Sequence, residues 1–280
     1  YKRQNLDVTE GIFKFGLSLN PSVTIENAVN SDGAYNKDGG GIIASALHSA
    51  PIFPVYNADG SFCFAQNAWS PNTQTTLEDG SVKKGNSQTQ VWNPVALALL
   101  QKDETKASRI FGNVYGEVAF MPELKYRANF GVDIYNSSQD TFRPSTIPVA
   151  NTEGNPESEP EATAKTAKMY NWLFEQTVTY NKDIKGHSIS ALAGWTMQYQ
   201  RDESTYAFAN GFITNNVPTL NAGTVTRGDS HASEWALLSG LARVQYNYKG
   251  KYMVTGALRA DGASRFGKDN RWGWFPSVSA

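Results

Sequence analysis

Hydrophobic and polar residues alternate strictly along several long stretches of this 280-residue chain. In residues 124–134 every even-numbered position is apolar or aromatic and every odd-numbered position is polar or glycine, and residues 169–181 and 187–199 sort in much the same way. A period of two predicts β-strands. These runs exceed the usual globular strand of about 5–6 residues and suit a tilted membrane-crossing strand, which needs about 9–11.

The connections between these runs alternate between short and long. Tight turns are expected at residues 121–124, 181–186 and 248–252, with a fourth at residues 20–23. Long segments are expected at residues 30–108, 136–167, 201–232 and 261–271. In an up-and-down meander, alternate connections lie at the same end of the sheet. One end therefore carries the tight turns and the other the long loops, which is the asymmetry of outer-membrane barrels.

Nine strands are predicted in all, and the fold class is all-β. The predicted strands are residues 4–19, 23–29, 109–121, 124–135, 168–181, 187–200, 233–248, 252–260 and 272–280. Residues 93–104 could hold a short helix that starts near Asn93-Pro94. The acidic, proline-rich residues 151–165 predict a solvated loop. The architecture expected is an antiparallel up-and-down transmembrane β-barrel segment, about nine strands of a larger barrel, with long extracellular loops.

Composition narrows the function without naming it. Aromatic residues make up 12% of the chain, charged residues only 18%, and the net charge of −1 gives no field that would attract nucleic acid. Cys63 is the only cysteine, which excludes an intrachain disulfide and a thiolate metal cluster. The sequence contains no run of about 18 apolar residues, so no membrane-spanning helix is predicted. Residues 1–10 lack the apolar core of a signal peptide.

No catalytic or metal-binding pattern is present, so we expect neither an enzyme nor a cofactor. His48, His187 and His231 lack metal-ligand spacing, and no nucleophile elbow or phosphate-binding loop occurs. Residues 32–41 and 57–61 resemble calcium loops faintly but lack the spaced carboxylates and terminal Glu, so they are interpreted as turns.

Aromatic residues are the candidates for binding and for membrane contact. Six lie near predicted strand ends on the apolar faces and are expected at the membrane interface, where amphipathic rings concentrate: Tyr170, Trp172, Trp195, Tyr199, Trp235 and Tyr248. The alternative is that they form the core of a soluble sandwich. Four more lie in the long segment of residues 30–108 and could contact ligand, contact a partner or build a small core of that loop: Tyr56, Phe62, Trp69 and Trp92.

Residues 248–280, "YKGKYMVTGALRADGASRFGKDNRWGWFPSVSA", carry a specific resemblance. They resemble a segment of SusC-like (SusC/RagA family) TonB-dependent outer-membrane transporters, in which KYxxTxxxRxDGSSRFG precedes NRWGxFPSVS. Residues 49–62, 92–99, 109–133 and 172–195 are similar to further family segments in the same order. Ala263 and Trp274 are small departures from that pattern.

The resemblance implies a plugged barrel of about 22 strands. Residues 1–280 would be part of one TonB-dependent receptor β-barrel domain, the central slice, with the plug domain and the C-terminal strands outside this sequence. The family imports oligosaccharides or peptides across the outer membrane of Gram-negative bacteria. Its partners are a SusD-like surface lipoprotein, the TonB complex, outer-membrane lipids and the imported ligand, not nucleic acid. A different class, a secreted all-β adhesin or carbohydrate-binding protein, stays open on the residues alone.

Overall fold

The structure is a computed structural model that describes residues 4–29, 41–48, 54–63, 74–76, 82–84, 93–147, 149–150, 156–157 and 159–280. Within these ranges the strands are β1 (Gln4–Glu10), β2 (Phe13–Asn27), β3 (Gln74–Thr76), β4 (Val82–Lys84), β5 (Lys102–Met121), β6 (Leu124–Arg143), β7 (Val149–Ala150), β8 (Pro156–Glu157), β9 (Glu161–Ile184), β10 (His187–Asn210), β11 (Thr224–Tyr248), β12 (Tyr252–Ala263) and β13 (Trp272–Ser279). Two short helices are α1 (Ile42–His48) and α2 (Pro94–Leu100).

Nine of these strands form one antiparallel sheet in the order β1-β2-β5-β6-β9-β10-β11-β12-β13. This is an up-and-down meander, because each strand of the sheet pairs with the strand before it, and it confirms the predicted fold class. β9 and β10 have 24 residues each and β11 has 25. Such strands are about twice as long as the membrane requires, so the sheet has room for a membrane-spanning part and an extension beyond it.

Tight turns gather at one end of the sheet, as the sequence predicted. They connect β1 to β2, β5 to β6, β9 to β10 and β11 to β12, and we call this end the short-turn end. The turns at Lys185-Gly186 and Lys249-Gly250 have positive φ at both central residues, 49° and 90° in the first and 50° and 68° in the second. Two successive positive φ values define the type I′ turn, whose twist matches paired antiparallel strands.

The turn predicted at residues 20–23 is wrong. Pro21 lies inside β2, and the chain reverses at Gly11, whose φ is +58°. The described pairing of β1 with β2 stops at Gln4 and Leu19, so Pro21 pairs only with Ile110 of β5. A proline fits there, because on the side away from β5 no pairing described needs its missing N–H.

Most of the predicted loops are too long, because the strands continue into them. β6 runs to Arg143 instead of residue 135, and β11 begins at Thr224 instead of residue 233. Residues 136–141, "NSSQDT", are polar on both faces, so the hydrophobic alternation ends there. The ladder does not end: Asn136 still pairs with Ser108 of β5 and Lys168 of β9. Backbone pairing needs no apolar face once both sides of the sheet meet water.

The helix predicted near Asn93-Pro94 is confirmed as α2. Asn93 is its N-cap, and its side-chain oxygen accepts from the backbone N–H groups of Val95 and Ala96 at 3.1 and 3.2 Å. Pro94 occupies the first turn, where a helix needs no donor. The helix is shorter than the predicted range and ends at Leu100. Among the described residues, no helix is long and apolar enough to span a membrane.

Buried apolar side chains are few, and those described lie at the long-connection end. One cluster joins Phe142, Ala162, Ala209 and Phe212, and a second joins Leu97 with Ile147. By contrast, many large apolar side chains of the sheet are exposed, among them Val278 at 82% and Trp274 at 66%. A water-soluble protein does not leave so large an apolar face uncovered. The main sheet is therefore built to meet another apolar phase.

Candidate functional site

The main sheet has two chemically different faces, and the strand register separates them. On the first, Phe130 of β6 lies opposite Phe174 of β9, and Trp172 of β9 lies opposite Tyr199 of β10. Ring centroids in these two pairs are 6.4 and 6.2 Å apart, the spacing of favourable aromatic contacts. We call this the outward face. The neighbouring positions on the same strands belong to the inward face.

An apolar band crosses the outward face between two aromatic rims. On β9 it extends from Tyr170 to Tyr180 through Trp172, Phe174 and Val178. Ten residues at about 3.3 Å each span roughly 33 Å along the strand, or about 25 Å along the membrane normal at a tilt near 40°. That height equals the apolar band of outer-membrane barrels, about 25 Å.

Charged side chains occupy the outward face directly beyond its upper aromatic rim, which is the rim nearer the long connections. Past Tyr199, β10 continues with Arg201 and Glu203, whose side chains form an ion pair at 2.7 Å. Arg201 also lies 3.4 Å from Glu234 of β11, and the Tyr199 hydroxyl donates to Glu234 at 2.8 Å. A row of paired charges cannot sit in hydrocarbon without cost. The switch at Tyr199 therefore marks the boundary of the apolar band.

Five of the six predicted interface aromatics lie on the outward face. Tyr170, Trp172, Trp195 and Tyr199 occupy the band and its upper rim, and Tyr248 lies at the short-turn end opposite His187. Trp235 does not join them. It pairs with Gln200, one position from Tyr199, and so lies on the inward face, with the Arg265 guanidinium carbon 4.9 Å from its ring centroid. The alternation of β11 is imperfect in sequence, so the prediction placed Trp235 on the wrong face.

The inward face carries hydrogen-bonded polar side chains across several strands. Arg109 of β5 donates to both carboxylate oxygens of Asp133 on β6, at 2.7 and 2.6 Å. Asn113 donates to Asn129 at 2.9 Å, and Asn129 donates to Glu175 of β9 at 3.0 Å. A bidentate guanidinium–carboxylate pair and a chain of amide hydrogen bonds hold these side chains in place along the inward face.

A second group on the inward face combines a tyrosine with charges. The Arg127 guanidinium carbon lies 3.8 Å from the Tyr115 ring centroid, and the Tyr115 hydroxyl donates to Asp7 of β1 at 2.6 Å. Glu117 lies 3.9 Å from Arg127. Such half-exposed pairs contribute little stability, about 0–1 kcal/mol each. What they provide is a wet surface with both donors and acceptors, suited to non-covalent contact with a polar solute or with another polar surface.

Of the four loop aromatics predicted to bind, the structure describes two. Tyr56 and Phe62 form an isolated β-bridge, and their ring centroids are 5.0 Å apart. The two rings pack on each other, while Tyr56 keeps 49% of its surface exposed. Trp69 and Trp92 lie outside the described residues.

Residues 57–61, one of the faint calcium patterns, form a turn, as predicted. The Ser61 hydroxyl donates to the Asp59 carboxylate at 2.6 Å, and the Ser61 backbone N–H donates at 2.9 Å. These two bonds hold the pKa of Asp59 below its ordinary value. Within the described part of the chain, no group of three or more His, Cys, Asp or Glu residues could hold a metal ion. Residues 32–40 of the other pattern lie outside the described residues.

Asn93 organises the long loop, and the sequence indicated only half of its role. Besides capping α2, its side-chain nitrogen donates to the carbonyl oxygens of Val55 at 2.7 Å and Cys63 at 3.1 Å. Asn93 is buried, with 6% of its surface exposed. One amide therefore ties the helix to the hairpin that carries Tyr56 and Phe62. The Asn-Pro sequence signals the cap, but contacts 30 and 38 residues away leave no local signal.

A further loop packs on the outward face of the extension above the band. Phe212 contacts Phe142 edge to face, with ring centroids 5.5 Å apart. The Asn215 side-chain oxygen accepts from the Ser145 backbone N–H at 2.9 Å, and its nitrogen donates to the Ser145 hydroxyl at 3.0 Å. Two neighbouring long connections are thus joined to each other.

Comparison with known proteins shows which proteins this two-faced sheet is similar to. The chain is 33% identical over 277 residues to TonB-dependent receptor P3 of Formosa agariphila, a match that covers 98% of this chain and 25% of that protein. It is 25% identical over 283 residues to TonB-dependent receptor SusC of Bacteroides thetaiotaomicron, covering 98% of this chain and 26% of SusC. The chain is homologous to SusC-like TonB-dependent receptors. It spans about a quarter of the length of these curated relatives. No family model matches it.

Solved structures agree on the fold of this SusC-like segment. The RagAB peptide importer in its closed-closed state superposes with a TM-score of 0.74 at 20% identity, covering 99% of this chain and 29% of that chain. The RagAB peptide transporter gives 0.73 at 19% identity. At these identities the likeness establishes the fold alone, a long antiparallel up-and-down sheet that matches part of a larger chain. The relatives are named as receptors rather than enzymes, which agrees with the expectation from sequence.

Proposed function

We propose that this chain forms part of the wall and external loops of an importer that moves nutrients across the outer membrane of a Gram-negative bacterium. The observation that carries the proposal is the apolar band on the outward face, bounded by Tyr170 and Tyr199 above and by Tyr180 and Tyr248 below, in front of a polar inward face. A soluble adhesin has no need for an exposed band of membrane thickness.

The barrel domain extends beyond residues 1–280 in this proposal. In the described sheet β1 pairs only with β2, and β13 pairs only with β12. Unpaired edges are not tolerated in hydrocarbon, because each free N–H and C=O costs several kcal/mol there. Further strands would close the wall, and a plug domain elsewhere in the protein would fill its lumen.

The inward face would act by non-covalent recognition. Its amides, carboxylates and guanidinium groups offer both donors and acceptors, which suits the hydroxyl groups of an oligosaccharide or the backbone of a peptide. The receptor names of the relatives P3 and SusC support import in general, and the neighbour named as a peptide transporter supports the peptide class. Energy would come from the TonB complex through the plug, and no bond of the nutrient would be broken by this chain.

The long connections would form the external mouth, where a SusD-like lipoprotein would dock. The hairpin of Tyr56 and Phe62 and the loop of Phe212 are fixed to their surroundings by specific contacts. We expect Tyr56, Phe62, Trp69 and Trp92 to contact ligand or lipoprotein, because aromatic side chains supply much contact area at low entropic cost.

A loop-deletion variant tests this proposal. Ala28 donates its backbone N–H to the Asp103 carbonyl at 2.8 Å, so a turn of a few Gly and Ser residues can replace residues 29–101 without opening β2 and β5. In the full-length protein, this variant should still reach the outer membrane but should lose nutrient uptake and co-purification of the lipoprotein.

The matched control replaces residues 266–269, in the shorter connection between β12 and β13, with the same Gly-Ser turn. If the large deletion leaves uptake and lipoprotein association unchanged, the role proposed for this loop is wrong. A full-length protein that is monodisperse without detergent would remove the membrane proposal itself.

A further inference from the structure

Three lysines at the short-turn end form no ion pair with any residue that the structure describes. Lys185, Lys249 and Lys251 are exposed and lie in or beside the turns that connect β9 to β10 and β11 to β12. Within the described residues none of the three forms an ion pair, whereas nearby Lys182 pairs with Glu123. Asp183, the nearest acidic residue in sequence, pairs with Ser188 on the inward face. These two turns are therefore locally positive.

A compact ring cluster adjoins these lysines on the outward face. Nδ1 of His187 lies 2.6 Å from the Tyr246 hydroxyl, and the His187 and Tyr248 ring centroids are 4.7 Å apart. The ammonium group of Lys249 lies 5.3 Å from the centroid of the Tyr248 ring. Polar ring atoms and a cation thus share one small patch at the level where a bilayer presents its headgroups.

A groove lies on the same face within the apolar band. It has a volume of about 560 Å³ and is floored by Ala193, Gly240 and Ala242, between the indoles of Trp195 and Trp274. A Cβ added at Gly240 would meet no atom within 4 Å, so the space above this residue is open. The groove also contains Gln176, whose side-chain oxygen accepts from the Tyr126 hydroxyl at 2.5 Å. With that bond formed, the groove presents a mainly apolar surface.

We call Lys185, Lys249 and Lys251 the lysine rim. The lysine rim and the groove are close enough for one ligand to contact both. Tyr246 and Ala242 are four residues apart on the same face of β11, which is about 13 Å along the strand. A ligand with an anionic head at the rim and a hydrocarbon chain directed into the band would reach both. In a membrane, the molecule that satisfies this description is a phospholipid.

We propose that this surface is a binding site for one phospholipid of the leaflet at the short-turn end. Its phosphate lies between Lys249, Lys251 and the His187–Tyr246 pair, with Lys185 close by, and one acyl chain fills the groove over Gly240. The inference rests on the proposed membrane placement of the outward face, and it adds a specific ligand to that face.

The test uses the full-length protein in detergent, titrated with dioleoyl phosphatidylglycerol and followed by native mass spectrometry. The first variant combines Lys185→Asn, Lys249→Asn and Lys251→Gln. Asparagine is chosen for the first two because it tolerates their positive φ. At about 1 kcal/mol per lysine near an anionic surface, affinity should fall about fivefold per residue and roughly a hundredfold in total.

The second variant, Gly240→Val, places a side chain in the groove, where its Cβ meets no atom within 4 Å. Displacing contact with about two methylene groups should weaken binding about tenfold. Its matched control is Gly116→Val, another outward glycine of the sheet whose Cβ would meet nothing within 4 Å. Lys268→Gln, at the opposite end, controls for the loss of a single positive charge away from the site. Both controls should bind lipid as the parent protein does.

The outcomes separate this site from the larger proposal. Restored binding in the Lys→Arg versions supports a phosphate site, while inorganic phosphate that binds as tightly as the lipid, or equal loss in the Gly116→Val control, overturns the phospholipid site. Variants that enter liposomes normally and bind the lipid unchanged also overturn the lipid site, but they leave the proposed membrane placement of the sheet intact. A parent protein that fails to enter liposomes contradicts the proposed function instead.

Discussion

Asn93 shows how one residue can carry more structure than its local sequence signals. Its oxygen caps α2 and its nitrogen holds the hairpin of Tyr56 and Phe62. The cap follows from the Asn-Pro pattern and was predicted. The second role depends on where the chain returns, since the contacted carbonyls belong to Val55 and Cys63, and no spacing rule anticipates it.

Two substitutions of Asn93 should separate the two roles. Asn93→Ala removes both, at a cost of about 1 kcal/mol for the cap and about 0.5–1.5 kcal/mol for each bond from the nitrogen. Asn93→Asp keeps an accepting oxygen for the cap but replaces the donor with a second acceptor. Hydrogen exchange of the full-length protein should therefore rise over residues 54–63 in both variants, and over residues 95–97 only in Asn93→Ala.

The control is Asn57→Ala, which removes a side chain that bonds only within the hairpin among the described contacts. It should loosen residues 54–63 and leave α2 unchanged. Fast exchange over α2 in Asn93→Asp would show that the cap depends on the hairpin, contrary to the separation expected here.

At the scale of elements, the strands were predictable where one face is apolar and unpredictable where both are polar. β6, β9 and β10 were recognised from residues 124–135, 168–181 and 187–200, but their extensions beyond the band were assigned to loops. Past Tyr135 and Arg201 the strands continue through backbone pairing with scattered ion pairs and apolar contacts, and these leave no alternating pattern in the sequence. The misplaced turn at residues 20–23 has a similar cause, because a proline signals a turn unless one side of its strand is unpaired.

Neighbouring residues of β9 offer a direct test of the two faces. Phe174 lies on the outward face midway through the band, and Leu173 lies on the inward face opposite Gly131 and Gln198. Phe174→Lys should destabilise the folded full-length protein by about 2–4 kcal/mol, the cost of a lysine facing lipid at the midplane. Leu173→Lys should cost much less, because its ammonium group reaches the polar lumen.

Reversible unfolding in urea with liposomes measures both free energies. Phe174→Leu serves as the control for lost aromatic contacts with Phe130 and Trp195, which lie 6.4 and 5.7 Å away. Equal costs for the two lysines, or a larger cost at Leu173, would mean that the faces are assigned the wrong way round.

At the scale of the whole molecule, the sheet divides into three levels. The short-turn end carries the lysine rim and the His187–Tyr246 pair, the middle carries the apolar band, and the long-connection end carries paired charges, α2 and the two small cores. This order, rather than any catalytic group, accounts for the proposed function. The resemblance of residues 248–280 indicated the family from sequence alone, but only the register shows which residues share the outward face.

The central claim is that the outward face of β9 between Tyr170 and Tyr180 lies in the bilayer. A nitroxide scan tests it most directly: single cysteines at positions 168–181 of the full-length protein, in a Cys63→Ser background, are spin-labelled and reconstituted in liposomes. Collision with oxygen and with a water-soluble nickel chelate is then measured at each position. We predict that oxygen access alternates with a period of two, is highest at positions 172, 174, 176 and 178, and gives way to nickel access at position 168. Nickel access at every even position, or oxygen maxima at the odd positions, would contradict the account.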